Sequence, residues 1–161
     1  MGIIKMSQKF TTPISPARMF SALILDSHNL CPKLMFSWIK SFEILQGNGE
    51  AGSIIQINFT EACGHVKYVK HYIDELDKKH LRCKHTLFEG DVLGDKLKSI
   101  VYEVQLGPHG SGCILKIACE YHSKDGVEIK EEDIDPAGKN LAVGICEVVE
   151  AYLMAHPKSY A

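Results

Sequence analysis

Apolar and polar positions alternate with a period of two along most of this chain, and that alternation gives way to helical spacing in two places only. Ile3 to Thr11 alternates and stops at Thr12-Pro13, which predicts an opening strand. Ser15-Pro16 then supplies an N-cap and a proline for the first helical turn. Phe20, Leu23 and Ile24 follow at helical spacing, and Asp26 or Ser27 caps a second short helix through Cys31 that Pro32 limits, so a bent helix pair is expected. From Trp38 the period returns to two, with Ile39, Ser41, Glu43 and Leu45 on one face and Trp38, Lys40, Phe42 and Ile44 on the other. Further strands are expected at Ser53–Phe59, Val66–Ile73, Leu81–Leu87, Leu97–Leu106 and Cys113–His122, joined by short polar connections as an antiparallel meander. Asp135-Pro136 opens the last element. Leu141, Ala142, Ile145, Val148, Val149, Tyr152 and Leu153 recur at helical spacing up to His156-Pro157, which predicts one long amphipathic helix. Gly138 and Gly144 weaken it by about 1 kcal/mol each relative to alanine, so it needs the sheet to pack against.

The same alternation assigns an inner face to each strand. That face carries Ile55, Ile57 and Phe59, then Val69, His71 and Ile73, then Leu81, Cys83, His85 and Leu87, then Ile100, Tyr102, Val104 and Leu106. Two histidines and a tyrosine therefore point inward. Such groups are either satisfied by one another and by water, or they orient a mostly apolar ligand through a few hydrogen bonds. Alternation leaves both readings open, as it leaves open whether the space between sheet and helix is filled or hollow.

The turn Gly47-Asn48-Gly49-Glu50-Ala51-Gly52 lies between two strands, and the residues after it, Ser53 to Phe59, continue as a strand. A phosphate loop would need a Lys-Ser or Lys-Thr pair and a helix there, so this turn joins antiparallel strands.

Composition narrows the classes further. The chain has 161 residues, enough for one domain spanning 1–161, and 45% hydrophobic with 24% charged residues lies near globular averages. Lys and Arg total 18 against 20 Asp and Glu, a formal charge of −2, which gives no broad attraction to nucleic acid. The six cysteines lack paired spacing and read as packing thiols, and no Cys-x-x-Cys or His-x-x-x-His spacing suggests a metal; no cofactor is expected. The N-terminus lacks the features of a secretory signal, Met6 occupies the position where a myristoylation pattern wants Ser or Thr, and no apolar run is long enough to cross a bilayer. A cytoplasmic location without membrane insertion is expected.

Specific stretches add a resemblance over nearly the whole chain. Ser15 to Phe20, Gly47 to Gly52, Tyr68-Val69-Lys70-His71, Leu87 to Asp91, Glu120-Tyr121-His122, Gly126 to Glu132 and Val149 to Leu153 resemble the plant pathogenesis-related class 10 proteins, the family of the major birch-pollen allergen. The resemblance implies an α+β helix-grip fold: a seven-stranded antiparallel curved sheet wrapping the long C-terminal helix, with two short helices forming a V. It implies a cavity for small hydrophobic or amphipathic plant metabolites or hormones, such as cytokinins, flavonoids or steroids, in a monomer or weak dimer linked to plant defence. Carried onto this chain, the pocket positions are Phe20, Ile24, Ile39, Ile55, Ile57, Phe59, Val69, His71, Cys83, His85, Tyr102, Ile117, Cys119, Leu141, Ile145 and Val149.

The family loop is usually followed by two lysines, the first facing the cavity, where this chain has Ile55 and Gln56. Loss of that cation should favour neutral or cationic ligands over carboxylates. His85 stands where many relatives carry a cavity tyrosine, so the pocket is expected to hold a group that titrates near neutral pH. Two enzymatic alternatives follow from the resemblance. A ribonuclease would use the glycine loop with Glu150 and Tyr152, although Lys98 stands where its acid would fall. An acid-base catalyst resembling norcoclaurine synthase would use His71 and His85, Lys116 being directed outward by alternation. The gate and latch of abscisic-acid receptors, which resemble this fold, are missing.

Overall fold

The computed structural model describes residues 2–134 and 136–161, the side chains of 136–140 excepted. Seven strands form one antiparallel sheet in the order β1-β7-β6-β5-β4-β3-β2. They are β1 (Ile3–Thr12), β2 (Ile39–Gln46), β3 (Ile54–Phe59), β4 (Tyr68–Asp77), β5 (Arg82–Gly90), β6 (Leu97–His109) and β7 (Gly112–Ser123). From β2 to β7 each strand pairs with the next in sequence, and β1 closes beside β7. The chain crosses from one sheet edge to the other through the helices α1 (Pro16–Phe20) and α2 (Ser27–Leu34), and it ends in α3 (Pro136–Ala155). This is the expected helix-grip architecture.

Local chemistry explains the helical entry. Ser15 Oγ accepts from Arg18 N at 3.4 Å, and Pro16 occupies the first turn, where its missing N–H costs nothing. Between α1 and α2 the chain makes one π-helical turn over Ser21–Leu25, closed by Asp26 N donating to Ser21 O at 2.9 Å. Pro32 does not stop α2, which runs to Leu34. A proline near the end of so short a helix forfeits one backbone hydrogen bond, and burial of Leu30, Cys31 and Met35 offsets it. At the other end Arg18 reaches the last turn of α3, donating from Nε to Ser159 O at 3.0 Å and from Nη2 to His156 O at 3.0 Å and Leu153 O at 3.3 Å. A guanidinium there satisfies carbonyls that a helix C-terminus leaves free. The cap expected at Asp135 and the surroundings of Gly138 lie outside the described residues.

The sheet departs from simple alternation at bulges. Lys40 and Leu45 are extra residues in β2 against β3, Asp74 in β4 and Phe88 in β5 are extra where those strands pair, and Lys98 is extra in β6. Each bulge bends its strand and shifts the phase of facing side chains. In β2 the consequence is a correction: Ile39 points inward, but beyond Lys40 the inner residues are Phe42 and Ile44, while Glu43 and Leu45 are exposed. The β4–β5 and β6–β7 connections are shorter than expected, because pairing extends to Asp77↔Arg82 and His109↔Gly112. Pro108 fits in β6 because it lies beyond the end of the β5 pairing and needs no N–H on that side.

Met19, Phe20, Ile100, Leu115, Ile117, Tyr121, Val149 and Leu153 are buried where sheet, helix pair and α3 meet. Toward β2 to β5 the same three layers diverge, and a space opens between them.

Candidate functional site

The inner faces of β2 to β7, the α1–α2 junction and α3 bound a space with two lobes. The first, about 450 Å³, is lined from the sheet by Phe42, Ile44, Ile55, Ile57, His71, Ile73, Leu76, Cys83, His85, Leu87, Tyr102, Val104 and Ile117. Leu23, Ile24, Leu25, Ser27, His28 and Cys31 contribute from the helix pair, and Leu141, Ala142, Ile145 and Cys146 from α3. The second, about 560 Å³, is lined by Trp38, Phe59, Cys63, Val66, Val69, Leu87, Val92, Tyr102, Leu141, Val143, Gly144 and Glu147. Leu87, Tyr102 and Leu141 border both.

Polar groups inside the first lobe converge on one spot. Antiparallel register sets Ile73 opposite His85, and His85 opposite Tyr102, so neighbouring strands bring three rings together. The His71 and His85 centroids are 4.9 Å apart at 63°, His85 stacks on Tyr102 at 5.1 Å and 19°, and His71 lies 6.1 Å from Tyr102. Their hydrogen-bonding capacity is almost unused. Among the described residues His71 Nδ1 is buried with no partner, His85 Nδ1 has a long contact with Cys83 Sγ at 3.9 Å, and Tyr102 makes no hydrogen bond.

Both histidines keep intermediate accessibility because the area they expose faces the lobe. Burial pushes His71 well below the usual imidazole range, with His85 adding to the effect, and lowers His85 to about 4 against a small opposing pull from Asp74. Burial first, then the nearby Cys119 and Tyr121, raises Tyr102. The cluster is therefore uncharged at neutral pH, two imidazoles that donate and accept and one phenol, and burial moves His85 out of the near-neutral titration expected of it. Burial also pushes the thiols of Cys31 and Cys146 up to about 12 and that of Cys83 to about 11, which keeps them protonated and poorly nucleophilic.

Among the described lining residues, charge enters only at the rim, with Glu50 and Lys78. Of the glycine turn, Asn48, Gly49 and Glu50 border the first lobe, while Gly47, Ala51 and Gly52 do not. Ser53 is buried and its Oγ accepts from Gly49 N at 2.9 Å, in a position that a Cβ on Gly47 would approach to 2.4 Å. Gly47, with φ of 86°, thus combines left-handed backbone with close approach. Lys78 Nζ meets Glu50 Oε1 at 2.9 Å and ties the turn to the β4–β5 connection.

Among the sixteen pocket positions expected from resemblance, ten border the first lobe or both: Ile24, Ile55, Ile57, His71, Cys83, His85, Tyr102, Ile117, Leu141 and Ile145; Phe59 and Val69 border the second. Phe20, Ile39, Cys119 and Val149 border neither, because their inward side chains are covered by packed neighbours of the core. Phe42 and Ile44 were hidden by the bulge at Lys40, and Leu23, Leu25, Ser27, His28 and Cys31 depend on how the helix pair seats against the sheet. A hydrophobic period of 3.6 marks that pair as half-buried without saying what it faces.

Glu150 and Tyr152 border neither lobe. The Tyr152 ring stacks on His156 at 4.3 Å with Lys33 Nζ 5.8 Å from its centroid, and Lys98 and Lys116 are exposed on the sheet. Among the described residues no group of three or more His, Cys, Asp or Glu could hold a metal ion, and no helix is long and apolar enough to cross a membrane.

Comparison with known proteins agrees with this architecture. The chain is 43% identical over 162 residues to "Major allergen Pru ar 1" of Prunus armeniaca, covering 99% of each, and 43% identical over 162 residues to "Pathogenesis-related protein STH-2" of Solanum tuberosum, covering 100% of each. Among solved structures it is similar to Ara h 8.0201, with 26% identity, a TM-score of 0.86, and coverage of 96% of this chain and 100% of that one. Norcoclaurine synthase from Thalictrum flavum, solved in complex with dopamine and hydroxybenzaldehyde, shares the fold at 20% identity and a TM-score of 0.76, with 96% and 88% covered. Residues 1–156 match the Pathogenesis-related protein Bet v 1 family as a whole, and the chain belongs to that family.

Proposed function

We propose that the protein binds, stores or carries a small, mostly apolar and uncharged metabolite in the first lobe, oriented by His71, His85 and Tyr102. The observation that carries this reading is the idle hydrogen-bonding capacity of those three side chains inside an otherwise apolar chamber. Buried polar groups left unpaired cost free energy, and a guest with one hydroxyl or ring nitrogen would recover it. The volume of about 450 Å³ falls within the range of small-molecule sites. Burying roughly 300 Å² of apolar guest surface at about 25 cal/mol per Å² yields about 7.5 kcal/mol before association costs, enough to support micromolar binding once polar contacts are added.

Chemistry inside the lobe selects against anions. Ile55 places hydrocarbon on the wall, and the cation at the rim, Lys78, is already paired with Glu50. A carboxylate drawn inward would lose its hydration without a counter-charge. In this reading the partner is a phytohormone, flavonoid, steroid or alkaloid-like metabolite rather than nucleic acid, the compartment is the cytoplasm, and the role belongs to plant defence. Carriage is favoured over acid-base turnover because an imidazole lowered to about 4 is a weak base at neutral pH.

Isothermal titration with 2-naphthol, 2-naphthoate and naphthalene tests this directly. The neutral alcohol is expected to bind one to one and more tightly than either of the others, with co-crystals showing its oxygen against the ring cluster. Absence of heat and of density at saturating 2-naphthol would overturn the reading.

A further inference from the structure

We propose that the second lobe is a separate site for a protonated aromatic amine, with Glu147 as its counter-charge and Trp38 as its lid. Its chemistry differs from that of the first lobe. Three aromatic residues, Trp38, Phe59 and Tyr102, border it, and Glu147 is its one charged lining residue among those described. The first lobe balances an acid with a base at its rim, whereas Glu147, exposed on α3, borders the second lobe with no basic side chain among its described lining residues. An organic ammonium is the ligand class that gains from both, since ring faces and a carboxylate each attract positive charge while the aromatic body fills the apolar wall.

The surrounding backbone prepares the site. Trp38 is 47% exposed, yet it is held in place: its N–H donates to Met35 O at 2.9 Å, and its carbonyl accepts from Thr60 N at 2.8 Å and Cys63 Sγ at 3.5 Å. Gly144 precedes Glu147 by one helical turn, on the same face of α3, and a Cβ placed there would meet nothing within 4 Å. Glycine weakens a helix interior, and at this position it leaves room beside the carboxylate.

Trp38 is the only tryptophan in the chain, so its fluorescence reports this lobe, while the ring-proton resonances of His71 and His85 report the other. The probes are phenethylammonium and its neutral analogue 2-phenylethanol at pH 7. Phenethylammonium is expected to change Trp38 emission saturably, with histidine shifts smaller than 2-naphthol produces because Tyr102 borders both lobes, and to bind at least tenfold more tightly than 2-phenylethanol. Glu147→Gln should weaken the amine about five- to tenfold and leave the alcohol unchanged. Gly144→Leu, which fills the lobe with a better helix former, should abolish the Trp38 response while 2-naphthol still binds the first lobe. Equal amine affinity in wild type and Glu147→Gln, or no Trp38 response, would overturn the proposal; so would histidine shifts as large as those that 2-naphthol produces. The 2-naphthol titration stands apart from these outcomes, so either lobe's assignment can fail alone.

Discussion

His85 stacks on Tyr102 across the β5–β6 ladder, with centroids 5.1 Å apart and planes 19° from parallel, and neither side chain spends its polar atoms on a strong bond to the protein. Packing thus fixes the orientation of two hydrogen-bonding groups whose partners are left to the guest. Preorganisation of this kind lowers the entropic cost of binding.

Tyr102→Phe should separate binding from stability. Because the hydroxyl has no partner among the described residues, the variant is expected to unfold in urea within about 0.5 kcal/mol of wild type. Affinity for 2-naphthol should fall roughly five- to tenfold by calorimetry, the worth of one hydrogen bond.

Acid should unfold the protein in part through its buried histidines. His85 titrates at about 4 when folded against an ordinary value of 6.5, so below pH 6.5 the unfolded chain takes up a proton that the folded one refuses. Stability is therefore complete above about pH 6.5 and declines as pH falls toward 4, by up to roughly 3 kcal/mol for this group. His71 adds to the decline in the same direction. Urea midpoints measured from pH 7 to 4 should fall less steeply in His85→Phe than in wild type; parallel curves would contradict the assignment.

Ile55→Lys should change what the first lobe prefers. Ile55 is 9% exposed and lines the apolar wall, so an ammonium there is expected to cost about 1–3 kcal/mol in thermal or urea unfolding. In return 2-naphthoate should bind at least tenfold more tightly than to wild type, while 2-naphthol weakens.

Arg18→Ala should loosen the end of α3. Three carbonyls, those of Leu153, His156 and Ser159, lose a donor, and the expected cost is on the order of 1–3 kcal/mol. Hydrogen exchange should rise over residues 153–160 and remain unchanged in β3 to β6, since the contact is confined to α1 and the C-terminal turn.

Alternation is a local property, and it carried the inner faces of β3, β5 and β6 through to the structure: Ile55 and Ile57, Cys83, His85 and Leu87, and Tyr102 and Val104 all face the interior. A side chain in a strand has only two directions, so a single polar neighbour on each side is enough to choose between them. The long C-terminal helix was legible for a similar reason, its apolar stripe repeating from Leu141 to Leu153 over more than three turns. Bulges are different. Lys40, Asp74 and Phe88 are extra residues only in relation to a paired strand, so the turn of Phe42 and Ile44 toward the lobe could not be read from their own neighbours.

The order of elements, the antiparallel meander and the inward placement of His71, His85 and Tyr102 were determined by the amino-acid sequence, because each follows from contacts between near neighbours or from residue chemistry alone, whereas burial in the folded protein decided that both imidazoles are uncharged. Tertiary structure decided which inward residues are packed solid and which border open space. Phe20, Cys119 and Val149 point inward as surely as Ile57 and His85 do, but they lie where helix and sheet touch rather than where the layers part. The distance between layers depends on every side chain along their seam, and no single strand carries that information.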